Sequence, residues 1–78
     1  MISPLIVAWE TTVDDVENVL ASMGKSTGKA EGIFDELDCE DVARAALTET
    51  DFEKQLNAAY QEIENQIREK NLLISVEG

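Results

Sequence analysis

Cys39 is the one cysteine in these 78 residues and no histidine accompanies it, so every Ser–His and Cys–His nucleophile arrangement is excluded. Asp38, Glu40 and Asp41 flank the thiol and disfavour its thiolate, while its place near a predicted helix start acts the other way. The balance favours a structural cysteine, a small apolar side chain and not a reagent. A lone cysteine also excludes an intramolecular disulfide and, without histidine, the four N/S ligands of the usual zinc site. Leu37-Asp38-Cys39-Glu40-Asp41 comes within one position of an L-x-C-x-E docking peptide, but its fourth residue is the glutamate and it crosses predicted helix.

Carboxylates are the remaining candidates for chemistry. Asp35, Glu36, Asp38, Glu40 and Asp41 crowd one segment, yet they lack the alternating register, central glycine and distal glutamate of a calcium loop. Paired carboxylates can hydrolyse glycosides only where they flank a cleft, and a thin helical domain offers none. Gly24, Gly28 and Gly32 do not make a phosphate loop: Val19 stands where the Walker pattern needs its first glycine, and the preceding segment reads as helix where that motif needs a strand. The expectation is a protein with no catalytic residues, no metal and no cofactor.

The elements that carry these residues read as helices. Thr12 is placed to cap a helix over about 13 to 23, with Asp14 and Asp15 in its first turn, Val13, Val16, Leu20 and Met23 at helical spacing, and Gly24 just past its end. After the loop Lys25-Ser26-Thr27-Gly28-Lys29, a short helix spans about 30 to 37 with Ile33, Phe34 and Leu37 apolar. Asp38 caps a third over about 39 to 47, with Val42, Ala43, Ala46 and Leu47 apolar, although these two could be one bent helix. Thr50 and Glu53 have capping-box spacing and open the longest helix, about 51 to 70, whose stripe runs Phe52, Leu56, Tyr60, Ile63, Ile67 and ends at Asn71 as a C-cap. The apolar runs at 5–9 and 72–76 are candidates to pair as a two-stranded antiparallel ribbon; the alternative extends the last helix to about 74.

The fold expected is therefore mainly α: a single domain, residues 1–78, folded as a three- to four-helix bundle with or without that ribbon. Its predicted core is Val16, Leu20, Phe34, Leu37, Leu47, Phe52, Leu56, Tyr60, Ile63 and Ile67. A chain this short buries only about 60–65% of its unfolded surface, which leaves little room for both a core and a deep substrate cleft. Hydrophobic residues at 44% are nevertheless enough for it to fold.

Charge is the outlying property. Asp and Glu number 17 against 6 Lys and Arg, a formal net charge of -11. Both nucleic acids and anionic membranes are polyanions, so neither is expected as a direct partner. No apolar run approaches a membrane span, and Leu5 to Trp9 is too short for a secretory h-region and has no basic residue before it, so the cytoplasm is the expected compartment. From Glu31 to Glu53 the sequence carries nine acidic side chains and one base, Arg44; Glu10 to Glu17 adds four acidic side chains and no base. Such a field attracts a basic surface and speeds encounter with it. The partner-binding residues expected are Glu31, Asp35, Glu36, Asp38, Glu40, Asp41, Asp14 and Glu17, with a basic protein, including a nucleic-acid-binding enzyme, as the partner. In size, charge and lack of catalytic residues the chain is similar to small acidic inhibitors of phages and mobile elements, the anti-restriction and anti-CRISPR proteins, and to antitoxins; that likeness is one of composition alone. Trp9 and Tyr60 are the aromatic candidates for an interface anchor, with core as the competing role. The competing expectation for the whole chain is an assembly module, a homodimer or larger homo-oligomer joined through apolar helix faces.

Overall fold

A computed structural model describes residues 9–73. Within them lie four helices: α1 Val13–Ser22, α2 Ala30–Glu36, α3 Cys39–Ala46 and α4 Phe52–Glu69. The domain is mainly helical, a small bundle, and no strand occurs among the described residues.

Several boundaries have a local cause. Thr12 is extended at the N-cap of α1, and the Asp15 carboxylate accepts from its backbone N–H at 3.1 Å, so an orphan donor of the first turn is satisfied. At the other end the N–H of Lys25 donates to the Leu20 carbonyl at 2.9 Å and that of Gly24 to Ala21 at 3.0 Å. This is a Schellman closure, and it needs the left-handed backbone that Gly24 adopts at φ 75°. α2 and α3 are separate helices and not one bent helix, because Leu37 is extended at φ -77°, ψ 149°. Asp38 then restarts the helix, its side chain accepting from the Asp41 N–H.

α4 begins one residue later than the Thr50–Glu53 pattern implies. Asp51 is the N-cap, and its carboxylate accepts from the Glu53 N–H at 2.8 Å. Glu53 is thus the second helical residue and cannot complete a capping box. At its far end the C-cap is Lys70, and Asn71 follows it at φ 53°, the left-handed position beyond the cap that asparagine tolerates. The chain turns there and is helical again at Leu72 and Leu73, with Leu72 buried. This overturns both readings of the C-terminal run within the described residues: it is neither strand nor a continuation of α4. The other residues of the expected ribbon, 5–8 and 74–76, lie outside the described ones.

α3 packs antiparallel on α4, with the Asp38 end of α3 beside Gln66. α1 packs on both α2 and α4. Tyr60 is hydrogen-bonded to Asp15 and Asn18, and Met23 faces Ile67 and Asn71 across a shared groove, so α1 runs parallel to α4. The core is built from Val16, Val19 and Leu20 of α1, Ala30 and Ile33 of α2 with Leu37 at its C-cap, Val42 and Ala46 of α3, Ala59, Ile63 and Ile67 of α4, and Leu72. Of the expected core, Val16, Leu20, Leu37, Ile63 and Ile67 are fully inside, whereas Phe34, Leu56 and Tyr60 are half-buried. Leu47 and Phe52 are not core: they are 43% and 69% exposed. Both stand at helix ends, Leu47 at the C-cap of α3 and Phe52 in the first residue of α4, where the neighbouring helix has stopped and covers neither. Buried alanines at 46 and 59 let α3 and α4 approach closely instead.

Candidate functional site

The structure places the expected acidic residues on three of the four helices. Asp14 and Glu17 are exposed on α1; Glu31, Asp35 and Glu36 are exposed on α2; Glu40 is exposed on α3, and Asp38 precedes it. Asp41 is the exception. It is half-buried, and its carboxylate pairs with the Arg44 guanidinium one turn on, at 2.6 Å. The single base of that stretch is thus spent on one carboxylate. The other ion pair among the described residues, Glu64 with Arg68 at 2.9 Å, is also within one helix. No ion pair among them joins two helices; the charged groups that bridge elements do so through hydrogen bonds, Lys70 to the Glu36 carbonyl and Tyr60 to the Asp15 carboxylate.

Asp38, one of the acidic set, has a structural duty. Asp38 caps α3, and its main chain is gripped by Gln66: the Asp38 N–H donates to Gln66 Oε1 at 2.7 Å while Gln66 Nε2 donates to the Asp38 carbonyl at 3.1 Å. Gln66 Nε2 also donates to Glu62, and Lys70 Nζ reaches the Glu36 carbonyl. Gln66 is only 3% exposed. Sequence reasoning missed it because a polar residue was not counted in the stripe, yet its spacing of three from Ile63 and seven from Ala59 puts it on the buried face. The structure does not gather the acidic residues into one compact centre: among the described residues no three carboxylate or thiol groups converge closely enough to hold a metal ion.

Cys39, half-buried at the start of α3, has its thiol pKa raised, first by burial and then by the Asp38 carboxylate beside it. The thiolate is therefore disfavoured, as its acidic flanks imply. Tyr60 belongs to a small polar network, accepting from Asn18 Nδ2 at 3.0 Å and donating to Asp15 Oδ1 at 3.3 Å, which ties α1 to α4.

A second feature was not expected at this place. The rings of Trp9 and Phe52 lie with centroids 6.5 Å apart and planes at 36°. With Leu56, Gln55 and Thr12 they line an open groove of about 500 Å³, whose other lining residues are Glu10 and Asp15. Trp9 is half-buried and packs against the edge of the core. The sequence places Phe52 near the start of the last helix and in the core; only the fold shows that, among the described residues, no neighbouring helix covers it. A groove of about 550 Å³ at the opposite end of α1 and α4 is different in character, lined by Met23, Ile67 and Leu73 with Lys25 and Arg68. None of the described helices is long and apolar enough to cross a membrane. Comparison with protein-family models, with curated proteins and with solved structures finds no match to this chain.

Proposed function

We propose that the chain is a non-catalytic, protein-binding inhibitor or regulator that uses its acidic helical surface to dock on a basic protein, including a protein whose own ligand is nucleic acid. The observation that carries this reading is the state of the carboxylates on α1, α2 and α3. Of the eight expected at the interface, seven are exposed, and Asp41 alone has an ion-pair partner among the described residues. Exposed charge of one sign, unpaired among the described residues, is what steers association with a surface of opposite sign. Carboxylates held on helices could then occupy a groove built for phosphates.

The test is a reversal of charge, with circular dichroism to check that the helices persist. Asp38 and Asp41 are poor choices, because one caps α3 and the other pairs with Arg44. Glu31→Lys, Asp35→Lys, Glu36→Lys and Glu40→Lys together remove four negative charges and leave the cap in place. Affinity capture from cell lysate, washed through rising salt, should recover a basic protein with the parent chain and lose it with this variant. Equal recovery by both would sink the proposal.

A second reading, assembly of copies through apolar helix ends, is favoured by one observation, the exposure of Leu47 and Phe52. Salt distinguishes the two. Electrostatic docking fades as the Debye length falls from about 10 Å at 0.1 M to about 3 Å at 1 M, whereas apolar self-association persists and strengthens as repulsion between acidic copies is screened.

A further inference from the structure

We infer that the groove between Trp9 and Phe52 is a seat for a cationic protein segment that inserts one large apolar side chain and sets lysine or arginine on the acidic rim. Three observations converge on it. The first is Phe52 itself. It is 69% exposed in the first residue of α4, where its packing is limited to the edge it shares with Trp9 and Leu56. With Trp9 and Leu56 it forms an apolar wall left uncovered among the described residues, and large, rigid aromatic groups of this kind are typical anchors of binding hot spots.

The second is the rim. Glu10 and Asp15 line the same groove, and Asp51 and Glu53, both exposed, bracket Phe52 in the chain. Lys54 is the nearest base to Phe52 in sequence, and no base among the described residues lines the groove. An apolar floor with a negative edge selects an occupant that is apolar at its centre and positive at its flanks, and a guanidinium or ammonium there can also lie over the Trp9 face. The third is size. About 500 Å³ in an open groove accommodates one or two side chains of a short segment, not a domain face. A second copy of this chain is the wrong occupant, since it carries the same net charge of -11 and would set like charge against like.

The sign of the occupant rests on the basic-partner reading above; its location does not, because the groove lies at the α1 and α4 N-termini and not on α2. Trp9 is the only tryptophan in the chain, so its fluorescence reports occupancy directly. The probe is a seven-residue blocked peptide with leucine between two runs of three lysines, titrated into the full chain and compared with the same peptide carrying alanine at the centre or glutamate in the flanks. The leucine–lysine peptide should change Trp9 emission saturably. Alanine at its centre, or Phe52→Ala in the protein, should each weaken binding about thirtyfold, the scale of a hot-spot anchor. Glu10→Lys should weaken it severalfold at low salt, and the glutamate-flanked peptide should not bind. Circular dichroism checks that both variants keep the helical fold. Binding that ignores the central residue and Phe52→Ala but is lost in the Glu31/Asp35/Glu36/Glu40 lysine variant would overturn the groove and leave the acidic-docking reading standing. Binding that needs leucine and Phe52 yet survives that variant would support the groove and count against α2 and α3 as the docking face. Equal binding of the glutamate-flanked peptide would overturn the cationic assignment, and no binding of any lysine peptide would overturn both.

Discussion

The two ends of α4 are held in different ways. Around Gln66 the main chain of Asp38 is clamped at both its N–H and its C=O, Lys70 reaches the Glu36 carbonyl, and Leu72 closes the core. Around Phe52 two aromatic rings meet at the surface with carboxylates beside them. One end uses its side chains to hold three segments together, and the other leaves the Phe52 ring exposed beside half-buried Trp9 and Leu56. A helix stripe of uniform period can thus serve two purposes along its length, and what divides them is where the neighbouring helix ends.

Mutations should expose that division. The largest effect is expected midway, where Ile63 is fully buried: Ile63→Ala should cost about 2–5 kcal/mol, a large share of what a domain this size possesses, and urea unfolding followed by circular dichroism measures it. Next comes the clamp. Gln66→Leu keeps the volume but leaves the Asp38 N–H and C=O without their partner, and should destabilise by about 1–3 kcal/mol in the same assay. Asp38→Ala removes the α3 cap alone and should cost about 1 kcal/mol; a loss as large as that for Gln66→Leu would show that cap and clamp fail as one unit. Phe52→Ala should change stability by no more than about 0.5 kcal/mol, since an exposed ring contributes little. A cost near that of Ile63→Ala would erase the distinction between the two ends.

The thiol gives the smallest effect and one with a defined sign. Burial and Asp38 raise the Cys39 pKa, so the folded chain holds its proton to higher pH than the unfolded chain does. Its contribution to stability is complete below the ordinary thiol value of about 8.5 and is lost as pH rises through the higher folded value. Iodoacetamide should accordingly react with native Cys39 along a pH profile displaced upward from that of the urea-unfolded chain. Coincident profiles would contradict the assignment.

Much of the backbone was legible in the residues. Thr12, Gly24 and Asp38 mark helix boundaries through capping chemistry that acts over a few residues, and such local signals survive without knowledge of the fold. The errors arose where distance along the chain stopped being informative. The Phe52-to-Ile67 spacing describes a face correctly but does not say where α3 stops. Gln66 reads as surface until Asp38 is placed against it, and Ala46 with Ala59 reads as filler until two helices meet there. The acidic surface divides in the same way. Exposure of Glu31, Asp35 and Glu36 follows from their charge, whereas the local duties of Asp38 and Asp41 depend on partners that only the folded chain supplies.

The parallel course of α1 beside α4 carries a consequence for how the chain reaches this state. α3 and α4 are joined by a short connection and meet as neighbours in sequence, so their hairpin closes a small loop. α1 must find α4 across α2 and α3, and the Asp15–Tyr60 and Asn18–Tyr60 bonds span 45 and 42 residues. Loop closure of that length carries the larger entropic cost, so the α3–α4 hairpin is the natural nucleus and α1 docks late. Weakening Ala46 or Ala59 should therefore slow refolding, while loss of the Tyr60 hydroxyl should chiefly hasten unfolding, a kinetic asymmetry between two faces of one helix.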